Sequence, residues 1–228
     1  MSALRERQLA ALARERPALV VVDVQRSFVD PDMLGGHGLD AAAQASVAAA
    51  IERCAVLVAD ARALGVPVYW VELGTATPWR ASQWLRDGDL DAPLGDDEPC
   101  VVGTPGAEWY GVQPLAGEAR VRKTGYSGFL HTDLAARLRV DGIGWVAVVG
   151  LTTECCIQAT ATDAIQLGWP VYIPDDATSA YDVALHAAAL EQLALNVAVI
   201  GSSSELSGLW AGSALAADLV PAGAGAGA

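Results

Sequence analysis

Short runs suited to β-strands alternate along the chain with segments of helical spacing, and this rhythm restricts the fold to a parallel sheet with helices on both faces. The predicted strands are Leu19 to Val22, Val66 to Val71, Ala119 to Lys123, Trp145 to Val149, Pro170 to Ile173 and Asn196 to Ile200. Helical segments are predicted over Leu39 to Leu64, closed by Gly65, and over Thr132–Leu138, Glu154–Leu167 and Val183–Leu193. Leu19 to Val22 and Trp145 to Val149 are continuously apolar rather than alternating, as central strands covered on both faces require. One stretch, residues 74–117, breaks the rhythm and is rich in Gly, Pro, Asp and Trp; a loop of this length in a compact domain is functional or hides small elements. With 228 residues, 53% of them hydrophobic, the chain can fill one core. A single domain over residues 1–220 is predicted, followed by a low-complexity Ala/Gly tail at 221–228 that is expected to be disordered.

Three predicted strands end in residues that carry chemistry. Leu19 to Val22 runs into Asp23, at the carboxyl edge where open α/β sheets place ligands. Ala119 to Lys123 ends in a lysine before a glycine-containing turn. Trp145 to Val149 is broken by Gly150 and followed by T-T-E-C-C, in which Thr152 or Thr153 can cap a helix. A cysteine in the first turn of a helix sits where unpaired N–H groups and the dipole stabilise a thiolate, and the same groups can bind an oxyanion. Cys155 and Cys156 point only about 100° apart on a helix, so position alone leaves both as candidates. Either could also be an ordinary small buried residue. Aspartate, lysine and cysteine at three convergent strand ends form a candidate constellation for nucleophilic catalysis.

Charge narrows the partners. A formal net charge of −13 lacks the basic surface that nucleic acid or an anionic membrane would need, leaving a small molecule as the expected partner. Cys54, Cys100, Cys155 and Cys156 show no C-x-x-C spacing, M-S-A-L-R-E-R-Q-L-A lacks the apolar core of a secretory signal, and no run predicts a membrane span. A reducing cytoplasm is the expected compartment. No G-x-G-x-x-G follows the first strand, where V-D-V-Q-R-S stands instead, which disfavours a dinucleotide site.

V-V-D-V-Q, K-T-G-Y-S-G-F-L-H-T-D-L and G-L-T-T-E-C-C-I-Q-A-T-A-T-D-A together resemble three segments of the isochorismatase-like superfamily, cysteine hydrolase branch. The resemblance runs from Pro17 to about Ser204. It implies a three-layer α-β-α sandwich whose six-stranded, mostly parallel sheet has the order 3-2-1-4-5-6. It also implies Asp23, Lys123 and Cys156 as a triad, choosing Cys156 over Cys155, with the backbone N–H groups of Thr152 and Cys156 as oxyanion hole and a cis peptide at Leu151–Thr152. Substrate contacts are expected from Gln25, Phe28, Trp70, Glu72, Trp79, Tyr126, Phe129 and Glu154, with residues 74–117 covering the site and an aromatic wall beside it. Nicotinamidases of the superfamily bind a metal through an aspartate and histidines after the first two strands. Here V-Y-W-V-E-L-G-T-A-T-P-W-R holds no histidine, and only His37, His131 and His186 occur, so no metal and no cofactor are expected. His37 is expected in a solvated loop, His131 at a helix start or bordering the pocket, and His186 in a structural role. The implied activity is a metal-independent cysteine amidohydrolase that cleaves a C–N bond of a small amide, ureide or carbamoyl compound through a thioester. A vinyl-ether hydrolase and a non-catalytic binding protein of the same fold are the alternatives. A homodimer or homotetramer is expected.

Overall fold

Burial on both faces dictates where the continuous apolar runs lie. Strand β1 (Pro17–Val22) is buried throughout. In this computed structural model, which describes residues 2–34, 39–77, 84–85, 88–91, 93, 95 and 98–213, β1 sits near the middle of the sheet. Strand β2 (Val68–Leu73) pairs with it in parallel, Val22 facing Val71, and β3 (Ala119–Lys123) lies outside β2 with Lys123 facing Leu73. On the other side of β1 runs β4 (Trp145–Leu151), also wholly buried, with Val22 facing Gly150. Strand β5 (Val171–Pro174) follows β4, a two-residue strand β6 (Thr178–Ser179) lies beside the end of β4, and β7 (Ala198–Gly201) closes the edge. The order β3-β2-β1-β4-β5-β7 is the expected one, with the predicted sixth strand now numbered β7.

Side chains alternate across each strand, so each face of the sheet has its own helices. Leu19 and Val21 point into one apolar cluster, together with α1 (Ala3–Leu12), which contributes Leu12. After β1 come two single turns, α2 (Arg26–Val29) and α3 (Pro31–Leu34), and then the long α4 (Ala41–Ala63) on the same face. Ala18, Val20 and Val22 point to the other face, which is covered by α5 (Leu134–Val140), α6 (Gln158–Gln166) and α7 (Val183–Asn196). The last helix, α8 (Ser203–Ala211), returns to the first face and buries Leu206 and Trp210.

α4 corrects one expectation. Its 23 residues are long and apolar enough, by length and composition, to cross a membrane. Asp40 caps it through a 2.8 Å bond to the Ala43 N–H, and Val47, Ile51, Cys54, Leu57, Val58 and Ala61 form one stripe against the sheet. That stripe makes it a core helix of this fold.

Gly150 ends the apolar run for a steric reason. Its φ is +113°, and a Cβ there would lie 2.0 Å from the Val22 carbonyl oxygen on the neighbouring strand. Gly150→Ala is therefore expected to destabilise the protein by about 3 kcal/mol or more, seen as a lower urea midpoint. An unchanged midpoint would contradict this packing. One residue further on, the Leu151–Thr152 peptide is cis.

Candidate functional site

The parallel strands deliver three side chains to one carboxyl edge. Asp23 follows β1 directly and turns there with φ +54°, in the left-handed region. Lys123 ends β3, and its Nζ reaches across β2 to Asp23 Oδ2 at 2.7 Å. The same ammonium donates to Cys156 Sγ at 3.4 Å and to the Gly125 carbonyl at 3.0 Å. One ion pair and two hydrogen bonds thus hold the ammonium in one place. Asp23 and Lys123 are each only 1% exposed and Cys156 only 8%, which leaves little solvent to screen the charges.

The turn bearing Cys156 differs from the expected α-helix start. Thr153–Ile157 forms a π-helical turn, and the α-helix begins only at Gln158. The Cys155 and Ile157 N–H groups both bond the Thr152 carbonyl at 3.1 Å. The lysine loop is pinned to this element: Ser127 Oγ donates to Asp163 Oδ2 at 2.6 Å, and the Gly128 N–H donates to Thr160 Oγ1 at 3.0 Å.

Electrostatics set the resting protonation. Burial pushes the Asp23 carboxyl above its usual range, against the pull of Lys123. Burial also works against the Lys123 ammonium, but the Asp23 carboxylate and Cys156 outweigh it and hold its pKa above the usual lysine value. The hydrogen bond to Cys155, then burial and the Asp23 carboxylate, push the Cys156 thiol well up, with Lys123 acting the other way. Cys155, bonded to Cys156, moves down. Burial and the neighbouring groups thus favour the protonated thiol at Cys156, and the Asp23 carboxyl group lies beside it. The hydrogen bond to Cys155, burial and the Asp23 carboxyl group oppose the thiolate that a helix N-terminus would favour.

A cavity of about 310 Å³ opens onto these groups. Phe28, Tyr126 and Tyr181 supply aromatic wall, and Leu73, Leu151 and Pro99 add apolar surface. Thr75, Thr77, Thr124, Thr152 and Cys155 add polar groups, and Glu98 adds a carboxyl group. Residues 75–77, 98 and 99 belong to the irregular stretch, which therefore does contribute to the site.

Several expected substrate contacts lie elsewhere. Gln25 is spent on the scaffold: it accepts from the Leu73 N–H at 2.8 Å and donates to the Leu73 and Ala107 carbonyls at 3.0 Å. Trp70 points to the α4 face, where its indole donates to Glu118 at 2.7 Å and packs edge-on against Trp109. Glu72 is buried on β2 away from the cavity and pairs with Arg120 at 2.7 Å and Arg122 at 3.2 Å. Phe129 stacks on Trp169, and Glu154 is not in the cavity wall. His131 is exposed and also outside the wall. The period of two explains Trp70 and Glu72, since neighbours on a strand point to opposite faces and only their register selects the pocket. Trp79, His37 and the 221–228 tail lie outside the described residues. Tyr181 was missed, although the rule that loops after parallel strands carry ligands would have pointed to the segment after β5.

Residues 17–205 match the isochorismatase domain family. A streptothricin hydrolase from Streptomyces noursei is 37% identical over 167 residues, covering 73% of this chain and 50% of its own length. A maleamate amidohydrolase from Pseudomonas putida is 34% identical over 157 residues, 68% of each protein. Among solved structures, an isochorismatase family protein from Desulfovibrio vulgaris superposes with a TM-score of 0.69 at 29% identity, covering 87% of this chain and 100% of that one. The chain thus spans half the length of the streptothricin hydrolase it matches.

Proposed function

The chain belongs to the isochorismatase family, and from that premise we propose that it is a metal-independent cysteine amidohydrolase cleaving a C–N bond of a small amide, ureide or carbamoyl compound. The observation that carries this proposal is the Lys123 ammonium, 2.7 Å from Asp23 and 3.4 Å from Cys156 at the edge of a cavity. The amide-cleaving relatives support the reaction class.

Asp23 takes the Cys156 proton as Sγ attacks the carbonyl carbon, so no free thiolate has to form beforehand. Negative charge moves to the carbonyl oxygen. The Thr152 and Cys156 N–H groups would receive it in this reading. One such donor is typically worth about 3–4 kcal/mol. The C–N bond then breaks, and protonated Asp23 gives its proton to the leaving nitrogen. A water molecule, deprotonated by Asp23, attacks the thioester. The acid product leaves, and the thiol recovers its proton. Lys123 stays an ammonium throughout and fixes the carboxylate between its two tasks.

Acid should switch the enzyme off early. Asp23 works as the base only when ionised, and its pKa is raised by burial, so kcat/KM should fall as pH drops through a value above the ordinary aspartate range. A rate profile that stays flat down to about pH 4 would contradict Asp23 as the base.

An ammonia-release screen over small primary amides, ureides and carbamoyl amino acids, with Cys156→Ser as control, tests the function. Activity is expected to survive exhaustive chelation. Loss that one added ion restores would move the chain towards metal-dependent members of the family.

A further inference from the structure

Behind the nucleophile turn lies a hydrogen-bond chain that the steps above leave unused. Thr153 Oγ1 is 2.8 Å from His186 Nδ1 and 2.9 Å from Thr178 Oγ1. Thr153 is fully buried and Thr178 is 2% exposed, so water does not compete for these bonds. A neutral ring has one N–H. With that proton on Nε2, Nδ1 is an acceptor for the Thr153 hydroxyl. Thr153 then donates to His186 Nδ1 and can accept from Thr178. Burial lowers the ring's pKa and keeps it neutral, while the two charged groups that face it, Asp175 and Glu154, act the other way.

We propose that His186 is a positioning residue, holding Thr153 and through it the turn that carries Cys156 and the Thr152 and Cys156 N–H groups. The inference rests on Cys156 being the nucleophile. Thr153 opens a π-helical turn, whose i→i+5 bonds are rare and need outside support. That support comes from two other elements. β6 brings Thr178 alongside the end of β4, with Gly150 facing Thr178, and α7 brings His186.

Three variants test this. His186→Asn keeps an acceptor near the Nδ1 position, His186→Leu keeps bulk without an acceptor, and Thr153→Val removes only the hydroxyl. His186→Leu and Thr153→Val should each lower kcat by at least about tenfold with KM changed less than about threefold, as misplacement of a reacting group does. His186→Asn should stay within about threefold of the parent, and the Leu/Val double variant should be no worse than the worse single, as expected of residues acting through one contact. Equal losses for Asn and Leu, multiplied losses in the double, or a rise in KM at constant kcat would overturn the proposal. If His186→Leu does not fold, comparing His186→Asn with His186→Gln, whose amide reaches the Nε2 position instead, decides it; Gln performing as well as Asn would refute the Nδ1 role. Full turnover in Cys156→Ser would instead sink the nucleophile assignment, whereas an inactive Cys156→Ser with indistinguishable Asn and Leu variants would sink the positioning role alone.

Discussion

Replacing Cys156 by serine is expected to lower turnover by about three orders of magnitude or more while leaving the fold intact. Serine keeps a small side chain in the 8% exposed site and can still accept from Lys123, so stability should change little. What is lost is the nucleophile, because a hydroxyl is far harder to deprotonate than a thiol and Asp23 is only a carboxylate. Cys155→Ala should retain activity within about fivefold. Cys155 also lines the cavity and hydrogen-bonds Cys156, so the pair distinguishes nucleophile from neighbour. A vinyl-ether hydrolase of the same fold would instead keep working without Cys156.

The second large effect concerns the buried pair. Lys123→Met leaves the Asp23 carboxylate almost fully buried and without its counter-charge, and breaking such a pair costs about 3–5 kcal/mol. The sign with pH follows from linkage. Asp23 already has a raised pKa, and losing Lys123 raises it further, so the folded state holds the proton more tightly than the unfolded one. The native state of the variant is therefore favoured below that pKa and loses stability as pH rises through it. Urea denaturation should show the largest penalty near neutral pH and a smaller one near pH 5. Removing both charges, as Asp23→Leu with Lys123→Met, should recover part of the lost stability, because no isolated charge remains. In catalysis Asp23→Asn and Lys123→Ala should each remove most turnover, and the double should not multiply the losses, since both act on one transition state. A pH-independent penalty in Lys123→Met would mean that Asp23 is not the group left unpaired.

The sheet was legible because burial on both faces leaves a mark in single runs of residues. Leu19 to Val22 and Trp145 to Val149 could only be central strands, and they are. The three strand ends followed from that placement, and Asp23, Lys123 and Cys156 do meet. α1 was not legible: A-L-R-E-R-Q-L-A-A-L buries only Leu12, so no apolar stripe marks it. β6 has just two residues, set by pairing with the end of β4 rather than by any pattern of its own. The pocket wall was half legible. Phe28, in the single turn α2, and Tyr126, in a loop, closely follow strand-end residues, whereas Trp70 and Glu72 depend on which way a β-strand residue points. Hydrogen-bonding capacity also misled: Gln25 sits beside Asp23 in sequence, yet it ties β1 to the end of β2. The protonation of Cys156 could not come from sequence, because it depends on the Asp23 carboxylate, the Cys155 thiol and burial acting together.

The most direct measurement is limited alkylation with iodoacetamide, following residual activity and, by peptide mass spectrometry, the label on each cysteine. Cys54 and Cys100 are buried away from the cavity wall, so Cys155 and Cys156 are the thiols in competition. The proposed chemistry predicts that activity falls in proportion to label on Cys156. Activity that tracks label on Cys155, or that persists when Cys156 is fully alkylated, would contradict it.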